Sequence, residues 1–419
     1  MEAYDELLRW AQDRGVVLHG IEPRLIPEKG VGMVATKPLK ANERVLHVPT
    51  SALRTLETVK PKIKKNLPAG STVHALLAAD LALERPNSKY APWTAIHPSR
   101  ESVSRSLPLA WADPALHAYL PRPARTLLEK QQAKFARDWS AMQHLLSALS
   151  SSSSSKLKTD NNNKVSATVT QADFLYAWLL VNTRTFYHET RRTARLSRDD
   201  RMVLQPVADL FNHTSGDDSD GSDGCEVAFT PAGFSITADR AYAPGEEVCI
   251  CYGRHSDDFL LVEYGFVLGG GSGPGARNRW DEVCLDDALL LNEGEDEYGY
   301  FDRDQREVLD QAGFLGNYRL DERAVCYRTQ VALRLLVVGD VETWKRLVEE
   351  GEDGGEDVQR AVDQLLAKVL KRYLVKVEAI VEELGRTGIG GPCQREVLRA
   401  RWKQISHLIR QTIERLSKV

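Results

Sequence analysis

The sequence predicts an α+β protein in which a small fold of short strands is interrupted by a long helical insert and followed by an all-α C-terminal domain. Three observations point there. Short β-branched or apolar runs cluster before residue 50 and again between 202 and 267. Apolar residues at helical spacing dominate 53–180, and after about Asp281 only the helical period remains. At roughly 100–200 residues per domain, 419 residues make room for two to four units. The pattern divides into 1–52, an N-terminal helix and the first β part; 53–180, the helical insert; 181–275, the second β part; and 276–419, the helical C-terminal domain.

Each element has its own warrant. Tyr4, Leu7, Leu8 and Ala11 share one face of a short amphipathic helix. Val16–His19, Val31–Thr36 and Arg44–Val48 read as strands bounded by Gly, Pro and Asn. Ala75–Ala79 and Arg125–Leu149 are the strongest helical segments of the insert. The serine run Ser150–Ser155 and the run Asp160–Asn163 cannot bury apolar surface, so 150–164 is expected to be a disordered surface stretch. Gln171–Arg184 resumes the helix. Strands return at Met202–Val207, Glu226–Phe229, Phe234–Thr237 and Glu247–Tyr252. The acidic loop 216–224 between them lacks the ligand spacing of an EF-hand and reads as solvated. After the glycine-rich break Gly269–Gly275, two long apolar stripes run from Val358 to Leu384 and from Val397 to Leu416. The basic residues of the last stripe read as a solvated outer face or as a surface for an acidic partner.

Composition narrows the function. With 55 basic and 59 acidic residues the net charge is −4, which offers no global attraction for nucleic acid or anionic lipid. Six cysteines without a CxxC pair indicate reduced thiols in a cytoplasmic or nuclear protein. Glu2, Asp5 and Glu6 spoil a secretory or transit-type start, and no 18-residue apolar run exists. His188 and His255 stand alone and Cys249 and Cys251 have no partner cluster, so no metal site is expected. No GxSxG nucleophile elbow occurs. The glycines of Gly30-Val31-Gly32 permit a hairpin or the close approach of a ligand, but no helix signal follows, which excludes a dinucleotide fingerprint.

Five words occur in order: Glu28–Ala35, Asn182–Phe186, Pro206–His213, Gly245–Gly253 and Glu263–Val267. This series resembles the SET-domain protein methyltransferases, and most closely the branch of the Rubisco large-subunit lysine methyltransferase. The resemblance covers nearly the whole chain. It implies a SET β-fold with a helical insert, an all-α C-terminal substrate-binding domain, and S-adenosyl-L-methionine as methyl donor. It implies a protein substrate methylated on lysine, a non-histone protein such as a ribosomal protein or translation factor, and a monomeric enzyme binding neither nucleic acid nor membrane. Matched residue by residue, Tyr252 is the catalytic tyrosine and also lines the donor. Lys29, Gly30, Val31, Gly32, Arg184, Asn212 and His213 are the other donor-binding residues. Thr183, Arg184, His188, Asp209, Tyr264 and Phe266 are the substrate-binding positions. At His188 the residue type departs from the family. Protein-histidine methylation and a catalytically silent SET fold used as a binding module remain as alternatives.

Overall fold

The computed structural model describes residues 2–27, 29–154, 169–189, 193–216, 222–230, 233–269, 277–290 and 300–418. These divide into two compact units, one of residues 1–110, 128–254 and 263–265, the other of 111–127, 255–262 and 266–419.

The first unit carries three small antiparallel sheets. β1 (Val17–Leu18), β4 (Arg44–Pro49), β8 (Gly233–Thr237) and β7 (Glu226–Thr230) form one, in that order. β2 (Ile21–Ile26), β3 (Gly30–Ala35) and β9 (Glu247–Val248) form the second, and β5 (Thr185–Tyr187) pairs with β6 (Met202–Leu204) in the third. β2 has no counterpart in the sequence reading. Its run IEPRLI carries a proline and no clean alternation. It is tolerated because β2 is an edge strand, paired on one side only, with β3. The strand expected over Glu247–Tyr252 stops at Val248. Beyond it Ile250 bridges two segments at once, in parallel with His213 and with Cys225.

The insert is helical as expected, with Val73–Ala82, Arg122–Ser154 and Gln171–Arg184 its principal helices. Thr170 and Asp173 form a capping box that starts the last of these. The helix from Arg122 continues through Ser154, so the first serines of the run expected to be disordered are helical. The hydroxyls of Ser150 and Ser151 donate back to the Ser147 carbonyl within 3 Å, so each finds its partner one turn back within the helix. The remainder of that stretch, 155–164, and most of the acidic loop, 217–221, lie outside the described residues. Arg54 is buried in this unit and spans Asp80 (2.6 Å) and Glu84 (2.8 Å).

The second unit is mainly helical, with Tyr327–Val338, Val341–Glu350, Gly355–Arg386 and Pro392–Leu416 in order. Where only helix was expected, β10 (Val283–Cys284) and β11 (Arg319–Leu320) pair as a two-stranded antiparallel sheet. Two-residue strands are too short to impose a period of two on the sequence. Arg401 is completely buried here. Its Nε donates to Asp258 (2.7 Å), its Nη1 to Asp281 (2.6 Å) and its Nη2 to the Glu282 carbonyl (3.0 Å). Burial and the neighbouring Asp281 raise the Asp257 carboxyl well above the usual carboxylate range, and burial raises Asp281 in the same direction.

Candidate active site

The site grows from one segment of irregular backbone. After β6 the chain turns at Val207, whose φ of +77° and ψ of −46° are rare for a β-branched residue. Such a conformation costs about 1–3 kcal/mol and persists only where its surroundings over-determine it. A single 3-10 turn, Ala208–Leu210, then leads into Phe211-Asn212-His213. That tripeptide is laced to the chain after β9: Ile250 N–H donates to the Asn212 carbonyl (3.0 Å) and Thr214 N–H to the Ile250 carbonyl (3.0 Å). The Tyr252 N–H donates to His213 Nδ1 at 3.0 Å.

Tyr252 is held at both ends. Its hydroxyl donates to the Phe211 carbonyl at 2.6 Å. Its ring lies 5.1 Å from the His213 ring and 4.9 Å from the Tyr264 ring, centroid to centroid. Burial raises the Tyr252 phenol, against the opposing pull of Arg184, and burial pushes the Tyr264 phenol up to about 12. Tyr252 is therefore a neutral phenol across the physiological range. Its proton is committed to the Phe211 carbonyl, so toward any other group the oxygen acts as an acceptor.

A buried ion pair stands beside it. Arg184 closes the helix Gln171–Arg184, a favourable position for a cation. Its Nη1 donates to the carbonyl and to Oδ2 of Asp209, both at 3.1 Å, and the Asp209 side chain is fully buried. Trp93 Nε1 donates to the same Oδ2 at 3.0 Å. Burial raises the Asp209 carboxyl, while Arg184 opposes the shift. Arg184 Nε and Asp209 Oδ1 are buried without a hydrogen-bond partner, so this pair keeps one donor and one acceptor in reserve.

On the β3 side, Gly30 has φ +80°, and open space lies where its side chain would stand. Gly32 is the reverse case. A Cβ there would fall 2.6 Å from Asn212 Nδ2 and 2.8 Å from Glu247 Oε1. Its bareness lets Asn212 Nδ2 donate to Glu247 Oε1 at 2.8 Å. Lys29 Nζ pairs with the other oxygen of Glu247 at 2.7 Å. Val31 sits between the glycines, opposite Leu25 of β2.

The remaining expected residues are more dispersed. The Thr183 hydroxyl donates to the Leu179 carbonyl within its own helix. His188 follows β5 and stacks on Phe229 at 4.5 Å; burial lowers its imidazole. Phe266 belongs to the second unit. Residues with a direct part in this geometry that were not among those expected include Glu247, Trp93, Glu263, Phe211 and Asn182. Glu263 accepts Asn182 Nδ2 at 2.9 Å through its carboxylate and at 3.0 Å through its carbonyl, one residue before Tyr264. Glu247 and Glu263 stood inside the quoted words, so position alone could have flagged them. Trp93 gave no signal, being 116 residues from its partner Asp209. Among the described residues no group of three or more His, Cys, Asp or Glu side chains could hold a metal ion.

Residues 30–253, just over half of the chain, match the SET domain family. The chain belongs to that family. Residues 298–415 match the C-terminal domain of ribosomal lysine N-methyltransferase 2. Among curated relatives, the ribosomal lysine N-methyltransferase set11 of Schizosaccharomyces pombe is 23% identical over 90% of this chain and 88% of its own. SET domain-containing protein 4 of Mus musculus is 28% identical over 90% of this chain and 83% of its own. The structure of Rubisco LSMT bound to sinefungin and monomethyllysine superposes with a TM-score of 0.58 at 18% identity, covering 100% of this chain and 94% of that one. The SET domain of LSMT bound to methyllysine and AdoHcy gives 0.59 at 18%, over 99% and 93%. The SET fold read from the five words is the fold observed.

Proposed function

We propose that this SET-domain chain is a protein-lysine N-methyltransferase that uses S-adenosyl-L-methionine and acts on a ribosomal protein. The observation that carries the reading is the anchored Tyr252. Its phenol is pinned to the Phe211 carbonyl and ringed by His213 and Tyr264, within one chain passage of Asn212. When bound, the donor supplies a methyl group on a sulfonium centre, open to direct displacement by a neutral amine. Lys29, Gly30, Val31, Gly32, Asn212 and His213 are the residues that would hold it. They fit, because Gly30 leaves open space beside the backbone and Asn212 is already oriented. Arg184, with an unused polar atom, completes the set, and Asp209, which keeps another, is assigned to the substrate side.

The Tyr252 oxygen accepts weak C–H···O contacts, each worth about 0.5–1 kcal/mol. The Tyr252 and Tyr264 rings surround the incoming lysine stem with apolar surface. Desolvation of that kind disfavours the ammonium and lowers the lysine pKa toward the reactive amine. Thr183 and His188 are assigned to the peptide approach. The match of the C-terminal domain, and the ribosomal methyltransferases among the relatives, support a ribosomal protein substrate. No helix among the described residues is long and apolar enough to cross a membrane.

The test uses the full chain, methyl-labelled donor and purified ribosomal subunits in metal-free buffer. Label in a ribosomal protein, released on hydrolysis as methyllysine, is the expected result. Label recovered as methylhistidine replaces the lysine reading. A chain that binds neither S-adenosylmethionine nor S-adenosylhomocysteine by calorimetry is not an enzyme of this type.

A further inference from the structure

Glu247 is where three separate pieces of the donor cradle meet. It lies on β9 opposite Val34 of β3. Its Oε1 accepts Asn212 Nδ2 at 2.8 Å and its Oε2 accepts Lys29 Nζ at 2.7 Å. Gly32 between them has no room for a side chain, since a Cβ would come within 2.8 Å of Glu247 Oε1 and 2.6 Å of Asn212 Nδ2. Both carboxylate oxygens are thus engaged by other residues of the cradle.

We propose that Glu247 is a positioning residue for the methyl-donor site, acting through Asn212; the proposal rests on the donor reading given above. A carboxylate only accepts hydrogen bonds, so it compels the Asn212 amide to turn its Nδ2 toward it. The side-chain carbonyl Oδ1 is then the group left for a ligand, in one fixed orientation. Without that partner the amide is free to flip, and half its orientations present the wrong atom. The ion pair with Lys29 is exposed on the lysine side, 57% against 16% for the glutamate. An exposed pair of this kind contributes little by charge alone. What matters in Glu247 is its reach and its acceptor oxygen, and its negative charge is secondary.

That ordering separates the proposal from a structural or purely electrostatic role. Glu247→Gln keeps the length and an acceptor oxygen but removes the charge. Glu247→Asp keeps the charge but withdraws the oxygen from Asn212 by one methylene. The measurements are the Kd for S-adenosylhomocysteine by calorimetry, the split of kcat and donor KM, and the melting temperature of each full-length variant. The expected result is that Glu247→Asp weakens binding by about ten- to a hundredfold, the range of one hydrogen bond to a charged group. Glu247→Gln stays within about threefold of the parent, as an alignment held by length and acceptor predicts. In both variants kcat is preserved, because the loss lies in ground-state alignment of the donor. The reverse order, with Asp better than Gln, overturns the proposal, as do equal affinities in both. A melting temperature that falls in step with affinity also overturns it, since the residue is then a structural staple. Failure of the parent protein to bind S-adenosylhomocysteine instead refutes the donor reading, so the two failures are told apart.

Discussion

Tyr252→Phe is expected to lower kcat by about a hundredfold or more while leaving donor affinity within a few-fold. The phenol oxygen is the only part removed. Its proton already belongs to the Phe211 carbonyl at 2.6 Å, so its contribution to a ligand is an acceptor lone pair in a fixed place. A contact that strengthens as positive charge migrates during methyl transfer appears in turnover and not in ground-state binding. The ring remains, and with it the packing on Tyr264 and His213. If the hydroxyl serves only the fold, the variant retains full turnover per folded molecule and loses about 1 kcal/mol from the unmatched Phe211 carbonyl. Methyl transfer, calorimetry and thermal melting on one preparation decide between the two outcomes.

The largest expected loss of stability lies in the second unit. Arg401→Met strands Asp258 and Asp281 in the interior with Asp257 beside them, and should cost about 3–5 kcal/mol, the usual range when one partner of a buried ion pair is removed. Its pH dependence carries the diagnostic sign. The folded state raises Asp257 from its ordinary value of 3.8. The folded protein therefore holds a proton that the unfolded chain releases. Stability is present below the unfolded pKa and drains away as pH rises above it through the folded value. Without the guanidinium Asp257 and Asp281 rise further, so the variant should recover part of its loss on acidification toward pH 5. Urea titrations at several pH values measure this; a variant whose deficit stays constant from pH 5 to pH 8 would count against buried charge as the cause.

Much of this was legible because local chemistry announces itself. Gly30 and Gly32 mark a turn that needs left-handed backbone and bare space, and both needs are real. The Asn212-His213 pair and Tyr252 fall together because their words lie on adjoining passages of chain. The apolar stripes of the last two helices were periodic enough to place them within a few residues. What escaped notice depends on partners distant in sequence. β2 exists because β3 offers it an edge, which no property of IEPRLI reveals. Trp93 reads as one more apolar residue of the insert until Asp209 arrives beneath its indole N–H. Arg401 sits in a run of exposed arginines and lysines, and only its three-way contact distinguishes it from them. The helix through Ser154 escaped for a different reason: its serines bond to their own backbone, against their usual bias.

The left-handed turn at Val207 makes a particular tolerance in mutational drift. Val203 and Val207 are both wholly buried, four residues apart on the same stretch. At Val203 the backbone is an ordinary strand, so glycine there loses about 1.5–3 kcal/mol of side-chain burial and a further 0.5–1 kcal/mol of chain entropy. At Val207 the same exchange loses the burial and the chain entropy but releases about 1–3 kcal/mol of backbone strain. Two valines of equal burial thus differ in what they permit: glycine costs less at 207 than at 203, by the strain it releases.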